Sequence, residues 1–249
     1  MHQKKFQLNS GVKPLLSRLA GEGPYKRHVK RPLDLILALC AIIVLSPVLL
    51  ITAFLVRLGL GSPAIFKQRR PGLNERLFTL YKFRTMSDAR GKDGGLLPDE
   101  ARLTRFGRFL RASSLDELPE LWNILRGDMS LVGPRPQLVS DMLFMTPRQR
   151  LRHSVTPGLT GLAQVNGRNS ILWDSKLDYD LKYIENITFA GDAGILLRTL
   201  MNVLRRKDIN THGMATAEDF GDYLLRVGSI GKDIYDVQLE ESRRVMAGS

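Results

Sequence analysis

Between Asp34 and Arg57 the chain carries no charged residue, and every segment outside that window mixes polar and apolar positions. The apolar run Leu35 to Val56, about 22 residues, is long enough for one helical crossing of a bilayer. Two features favour a helix that enters and returns on the same side. Both flanks are basic, with Lys26, Arg27, Lys30 and Arg31 before it and Arg57, Lys67, Arg69, Arg70 and Arg76 after it. Basic clusters favour the cytoplasmic side, and a span would export one of them. Pro47 lies mid-run, where it removes a backbone hydrogen bond, and Ser46 is placed to bond the carbonyl so freed. The arms on either side, about 11 and 9 residues, are ~15 Å each, half of a ~30 Å hydrocarbon core. The expectation is a re-entrant hairpin broken at Ser46-Pro47, with Lys30, Arg31 and Asp34 at the interface.

After Gly61 the pattern becomes that of a water-facing domain. SPAIFKQRRPG and LFTLYKFRTM read as two strands around a turn at PGLNE. Residues Arg102 to Leu110 put Leu103, Phe106 and Leu110 on one helical face. SSLDELPELWNILRGDMSLVG predicts a helix from Leu115 to Leu125, stopped at Gly127. GPRP is rigid and extended, and RHSVTPGLTGLAQVNGRNS is loop or short strand. Helical periodicity returns from Trp173 to Asn186 and from Ile195 to Arg206. The resulting class is α+β, mainly helical, with short strands and one re-entrant membrane helix. Its boundaries are a basic extension over 1–29, the membrane helix over 30–60, a catalytic domain over 61–207 and an acidic-leaning tail over 208–249.

Composition narrows the partners. A formal net charge of +12 and a pI near 10.1 call for an anionic one: nucleic acid, anionic lipid or a phosphorylated substrate. The basic segments lack interleaved aromatics, which argues against nucleic acid. Cys40 is the single cysteine, so neither an intramolecular disulfide nor a cysteine metal cluster is expected. His2, His28, His153 and His212 have no metal-ligand spacing. No secretory cleavage pattern is expected, since the apolar run comes too late.

Candidate chemistry centres on Asp116-Glu117. Ser114-x-x-Glu117 has the spacing of a capping box, and acids in a first helical turn complement the dipole. The same geometry serves chemistry. Two adjacent carboxylates near Arg111 provide one nucleophile toward phosphorus and one helper or metal ligand. Pro134 and Pro136 fix the backbone around Arg135, which pre-organises its guanidinium for a phosphate. Lys82 and Arg84 alternate on the second strand and so share a face, which with Arg111 and Arg135 would make an anion pocket. Asp178-Tyr-Asp180 imitates a DxD metal site, but two helical positions so spaced diverge by roughly 200°.

Taken together, KRPLD, FKQRRPG, YKFRTM, SLDELPELWNILRGDMSLVGPRP and TPGLTGLAQVNGRN resemble the bacterial sugar transferases, monotopic polyprenyl-phosphate phosphoglycosyl transferases of the small type. The resemblance covers about Lys26 to Arg206. It implies a protein on the cytoplasmic face of the bacterial inner membrane, embedded in that membrane's lipid. It also implies transfer of a sugar 1-phosphate from a UDP-sugar to undecaprenyl phosphate, with release of UMP. By the same likeness Asp116 is the nucleophile, the dyad works with Mg²⁺, and Lys82, Arg111 and Arg135 handle the phosphates. The sugar is left open, as is a homodimer. Two other readings stand beside it: a glycosyltransferase releasing UDP, and a non-catalytic membrane-surface protein holding anionic lipid.

Overall fold

The computed structural model describes residues 23–167, 171–205 and 218–248. Residues 1–22 of the basic extension therefore lie outside the described residues, as do Arg206 and the start of the tail. A π-type turn at Tyr25–Val29 leads into α1, Lys30–Leu60. The antiparallel pair β1, Ile65–Pro71, and β2, Leu77–Phe83, follows as expected, in register from Ile65 opposite Phe83 to Pro71 opposite Leu77. Then come α2, Arg105–Ala112; a 3₁₀ turn at Leu115–Glu117; α3, Glu120–Arg126; β3, Ser130–Val132; and α4, Val139–Phe144. β4, Gly158–Thr160, pairs parallel with β3. Beyond several single-turn helices, the chain goes on with α5, Trp173–Glu185; α6, Phe189–Leu204; α7, Phe220–Arg226; and α8, Lys232–Ala247.

The main core joins Phe78 and Leu80 of the hairpin, Leu121 and Ile124 of α3, Leu131 and Val132 of β3, Leu181 and Ile184 of α5, and Ile195 of α6. Ala38 of α1 belongs to it, so the first turns of the apolar helix are built into the globular body. The other end of α1 is built in too: Val56 and Leu60 pack with Phe83 and Leu110. Between these anchors Ile43, Val44, Leu50 and Phe54 are more than 60% exposed. A helix that is buried at both ends and apolar in its exposed middle is long and apolar enough to cross a membrane by length and composition.

The predicted break at Pro47 does not interrupt the helix. α1 is one helix with Pro47 inside it, and not two separated arms. Pro47 cannot donate to Ile43, and the Ser46 hydroxyl donates to that carbonyl instead, at 2.8 Å. The freed acceptor is thereby satisfied without water. At the base of the helix, Lys30, Arg31 and Asp34 are spent on the protein. Lys30 pairs with Asp192 at 2.6 Å. Arg31 donates to the Ile124 and Leu125 carbonyls at 2.7 and 3.3 Å, satisfying the C-terminal end of α3 where Gly127 turns left-handed at φ 95°. Asp34 accepts from Ser130 Oγ at 2.6 Å and from Leu131 N at 3.3 Å.

The acidic tail had no role legible in sequence. Its described part packs: Phe220 and Tyr223 of α7 join Met145, Trp173 and Leu177 in a second apolar cluster. Asp141 accepts from the Phe220 amide at 2.8 Å, which fixes the start of α7.

Candidate active site

The hairpin and α3 are bolted together by Asn123, which is fully buried. Its side-chain oxygen accepts from Tyr81 N at 3.1 Å, and its amide donates to Thr79 O at 2.7 Å. A buried amide with donor and acceptor both used fixes register as no apolar residue does. Lys82, the next residue along β2, is thus delivered to the turn that carries the acidic dyad.

That turn departs from the sequence expectation. Leu115 to Leu125 is not one helix: the 3₁₀ turn Leu115–Glu117 is separated from α3, and Pro119, which has no amide hydrogen, stands at the junction. The capping box does not form either. Ser114 is left-handed at φ 56° and its side chain caps nothing in the turn. A non-glycine residue in that region is uncommon and tends to mark sites under functional constraint. Here it turns Asp116 inward, while Glu117 is drawn to cations rather than to a backbone amide.

Glu117 accepts from Lys82 Nζ at 2.9 Å and is also paired with the Arg135 guanidinium. Burial pushes its carboxyl up, but Arg135 and Lys82 outweigh that and hold it well below the usual carboxylate range. Asp116 is buried, and its Oδ1 has no hydrogen-bond partner. Burial, reinforced by the Glu117 charge, pushes its carboxyl up to about 7, against the pull of Lys82, Arg135 and Arg111. Two adjacent carboxyls are thus driven in opposite directions, and they titrate as a pair. Arg135 is braced from behind. Its carbonyl accepts from Arg152 Nη2 at 2.5 Å, and Arg152 is held by Asp180 at 2.7–2.8 Å, with both side chains buried.

Of the predicted pocket, Lys82, Asp116, Glu117 and Arg135 converge, with Pro134 and Pro136 flanking the arginine as part of its rigid frame. Pro134 O accepts from Gly158 N, and Pro136 O from Arg70. Arg111 reaches Thr85 Oγ1 at 3.1 Å from the end of α2, and its charge acts on Asp116. Arg84 stands apart. It lies beyond the end of β2, and its guanidinium is spent on the Met86 and Ser62 carbonyls and on Asp88. Asp178 is exposed while Asp180 is buried, so the DxD pair diverges as helical spacing requires. His153 is buried 3.7 Å from Glu75, and among the described residues no group of three or more His, Cys, Asp or Glu side chains is placed to hold a metal. Sequence reading missed Glu120, which is buried 3.1 Å from Lys82, and the Arg152–Asp180 brace. The five-residue DELPE spacing was the one available signal for Glu120.

The brace yields a prediction. Asp180→Ala leaves Arg152 buried without its counter-charge, a change that costs about 3–5 kcal/mol of stability. The thermal midpoint of the purified protein is expected to fall by several degrees or more, whereas Asp178→Ala at the exposed partner position leaves it unchanged.

The hard-oxygen donors suit Mg²⁺. Asp116 Oδ1 is an orphaned buried acceptor, and Mg²⁺ commonly takes one or two carboxylates and completes its shell with water and substrate phosphates.

The pattern that defines the bacterial sugar transferases matches residues 25–206. A Bacillus subtilis protein described as an uncharacterized sugar transferase is 50% identical over 192 residues, 77% of this chain and 95% of its own length. A UDP-glucose:undecaprenyl-phosphate glucose-1-phosphate transferase of Caulobacter vibrioides is 38% identical over 220 residues, 81% of this chain and 80% of its own length. The undecaprenyl-phosphate galactose phosphotransferase of Salmonella typhimurium is 38% identical over 203 residues. That alignment covers 72% of this chain but 41% of the larger enzyme.

Proposed function

The chain belongs to the bacterial sugar transferase family, and on that premise we propose that it moves a sugar 1-phosphate from a UDP-sugar to undecaprenyl phosphate, releasing UMP, by way of a covalent ester on Asp116. The observation that carries this reading is the Asp116 carboxylate, buried and unpartnered at Oδ1, beside a Lys82–Glu117–Arg135 ion cluster. That oxygen is spent on no donor of the fold, and the neighbouring cations suit a diphosphate.

In the first step an Asp116 oxygen attacks the phosphorus that bears the sugar. The bond from that phosphorus to the bridging oxygen breaks, and UMP leaves with the electron pair. In the second, a phosphate oxygen of undecaprenyl phosphate attacks the same phosphorus, and Asp116 is released as a carboxylate. On this reading Lys82 and Arg135 neutralise the charge on the diphosphate, while Glu117 keeps both cations in place. Asp116 and Glu117 would hold Mg²⁺, which supplies further neutralisation of phosphate charge when bound.

The nucleotide product tests the reading. Purified protein with Mg²⁺, undecaprenyl phosphate and a panel of UDP-sugars is expected to release UMP with one donor, and release of UDP would mean direct glycosyl transfer instead. The pH profile follows from the dyad. Protonated Asp116 is not a nucleophile, so kcat/KM is expected to rise with pH through an acid limb near 7 and to flatten above it. A limb near 4 would mean that Asp116 ionises as an ordinary carboxyl.

The same reading places the body on the cytoplasmic face of the inner membrane, with α1 entering and returning. Its support is that both ends of α1 are anchored to one body, through Arg31 and Asp34 at one end and Val56 and Leu60 at the other. A helix that spanned the bilayer would have to release one of these anchors to the far side. Tags at the two chain ends are expected to be protected together from external protease in intact cells; exposure of the N-terminal tag alone would make α1 a span.

A further inference from the structure

We propose that Glu120 is a positioning residue for Lys82, a second counter-charge that holds the lysine ammonium in place beside Glu117. The inference rests on the phosphoglycosyl transferase reading of this site and extends it to a residue outside the dyad. Glu120 opens α3 and is 1% exposed. A carboxylate so enclosed needs a compensating charge, and Lys82 Nζ lies 3.1 Å from its Oε1. The same ammonium donates an aligned hydrogen bond to Glu117 at 2.9 Å. Glu120 Oε1 has no aligned hydrogen bond of its own, so its hold on Lys82 is that of charge.

The arrangement restrains a mobile group. Lys82 sits at the end of a flexible four-carbon stem and costs rotamer entropy to fix. Glu117 Oε1 accepts from Lys82 and Arg135 at once, and a lysine tied to that oxygen alone would be free to swing with the substrate. With Glu120 beside it, Lys82 has two carboxylates to hold its charge in place and keeps N–H donors beyond the one given to Glu117 for a phosphate oxygen. Asn123, three residues along α3, bolts the strand that carries Lys82 to the helix that carries Glu120, so both ends of the ion pair are fixed by one element. Glu120 touches no substrate and acts through Lys82.

The test is a double-mutant cycle on the full chain, read by UMP release and, independently of turnover, by calorimetric binding of UDP with Mg²⁺. Glu120→Leu removes a buried charge at similar volume. It is expected to lower kcat/KM and UDP affinity by about 10–100-fold in the wild-type background, and to change either by less than about twofold in Lys82→Met. Glu120→Gln keeps an oxygen toward Lys82 but not the charge, and is expected to recover little of the loss. The proposal is overturned if Glu120→Leu costs the same in both backgrounds, if it costs nothing in wild type, or if both variants lose activity in proportion to a falling thermal midpoint. A wild-type protein that binds UDP but turns over no donor would overturn the transferase reading, and the UDP-binding cycle would then decide the role of Glu120 by the same criteria.

Discussion

Asp116→Asn is expected to lower phosphosugar transfer by about 10³–10⁵-fold, the scale seen when a covalent nucleophile is removed from an otherwise intact site. The side chain keeps its shape, so donor binding should persist, and the loss should fall on kcat rather than KM. Stability is expected to move the other way. Burial holds the Asp116 carboxyl at about 7, above the ~4 of an unfolded chain. The folded state therefore binds that proton more tightly. The associated stability is fully present below about pH 4 and is lost as pH rises through 7. Above that, the ionised carboxylate costs the fold up to about 4 kcal/mol, and asparagine carries no such cost. The variant should thus be dead and, at pH 8, melt later than wild type, with the difference vanishing toward pH 4. An inactive variant that is also less stable at pH 8 would mean that Asp116 is a structural residue.

Arg135→Ala is the second large effect. The guanidinium is paired with Glu117, and its backbone is clamped by Pro134, Pro136 and the Arg152 brace, so its position is fixed before any substrate arrives. Removing it strips one cation from the diphosphate site and leaves Glu117 with Lys82 alone. A loss of about 10²–10³ in kcat/KM is expected, on the scale of one pre-organised charge stabiliser. Arg135→Lys should recover only part of it, because an ammonium restores charge but not the planar fork that can hold Glu117 and a phosphate together. Full recovery by lysine would reduce the role of Arg135 to charge alone.

How much of this was legible beforehand depends on the range of each interaction. The hairpin around PGLNE followed from alternation and turn chemistry, and the Ser46 bond to the Ile43 carbonyl followed from the chemistry of a helical proline; both are local. The dyad and the GPRP arginine were visible as local oddities, a pair of carboxylates beside a rigid arginine. What failed was local reasoning applied to residues with distant partners. The capping box is a sound pattern, but Glu117 is claimed by Lys82, 35 positions away, and by Arg135. Arg84 shares the alternation of Lys82, yet β2 ends between them and the Ser62 carbonyl takes its guanidinium. Sequence reading passes over Glu120 and weighs Asp180 only as half of a DxD pair, because no periodicity marks the burial that Lys82 and Arg152 make tolerable.

Everything proposed for the chemistry turns on a covalent phosphosugar at Asp116, which intact mass can weigh. Protein is incubated with Mg²⁺ and its UDP-sugar donor in the absence of undecaprenyl phosphate, then quenched. The expected result is a mass gain equal to one sugar phosphate residue, located by peptide mapping to Asp116 and matched by a burst of about one UMP per chain. The adduct should be absent from Asp116→Asn and discharged on adding the lipid phosphate. Turnover with lipid present but neither adduct nor burst without it would contradict the covalent mechanism and require direct attack of the lipid phosphate on the donor.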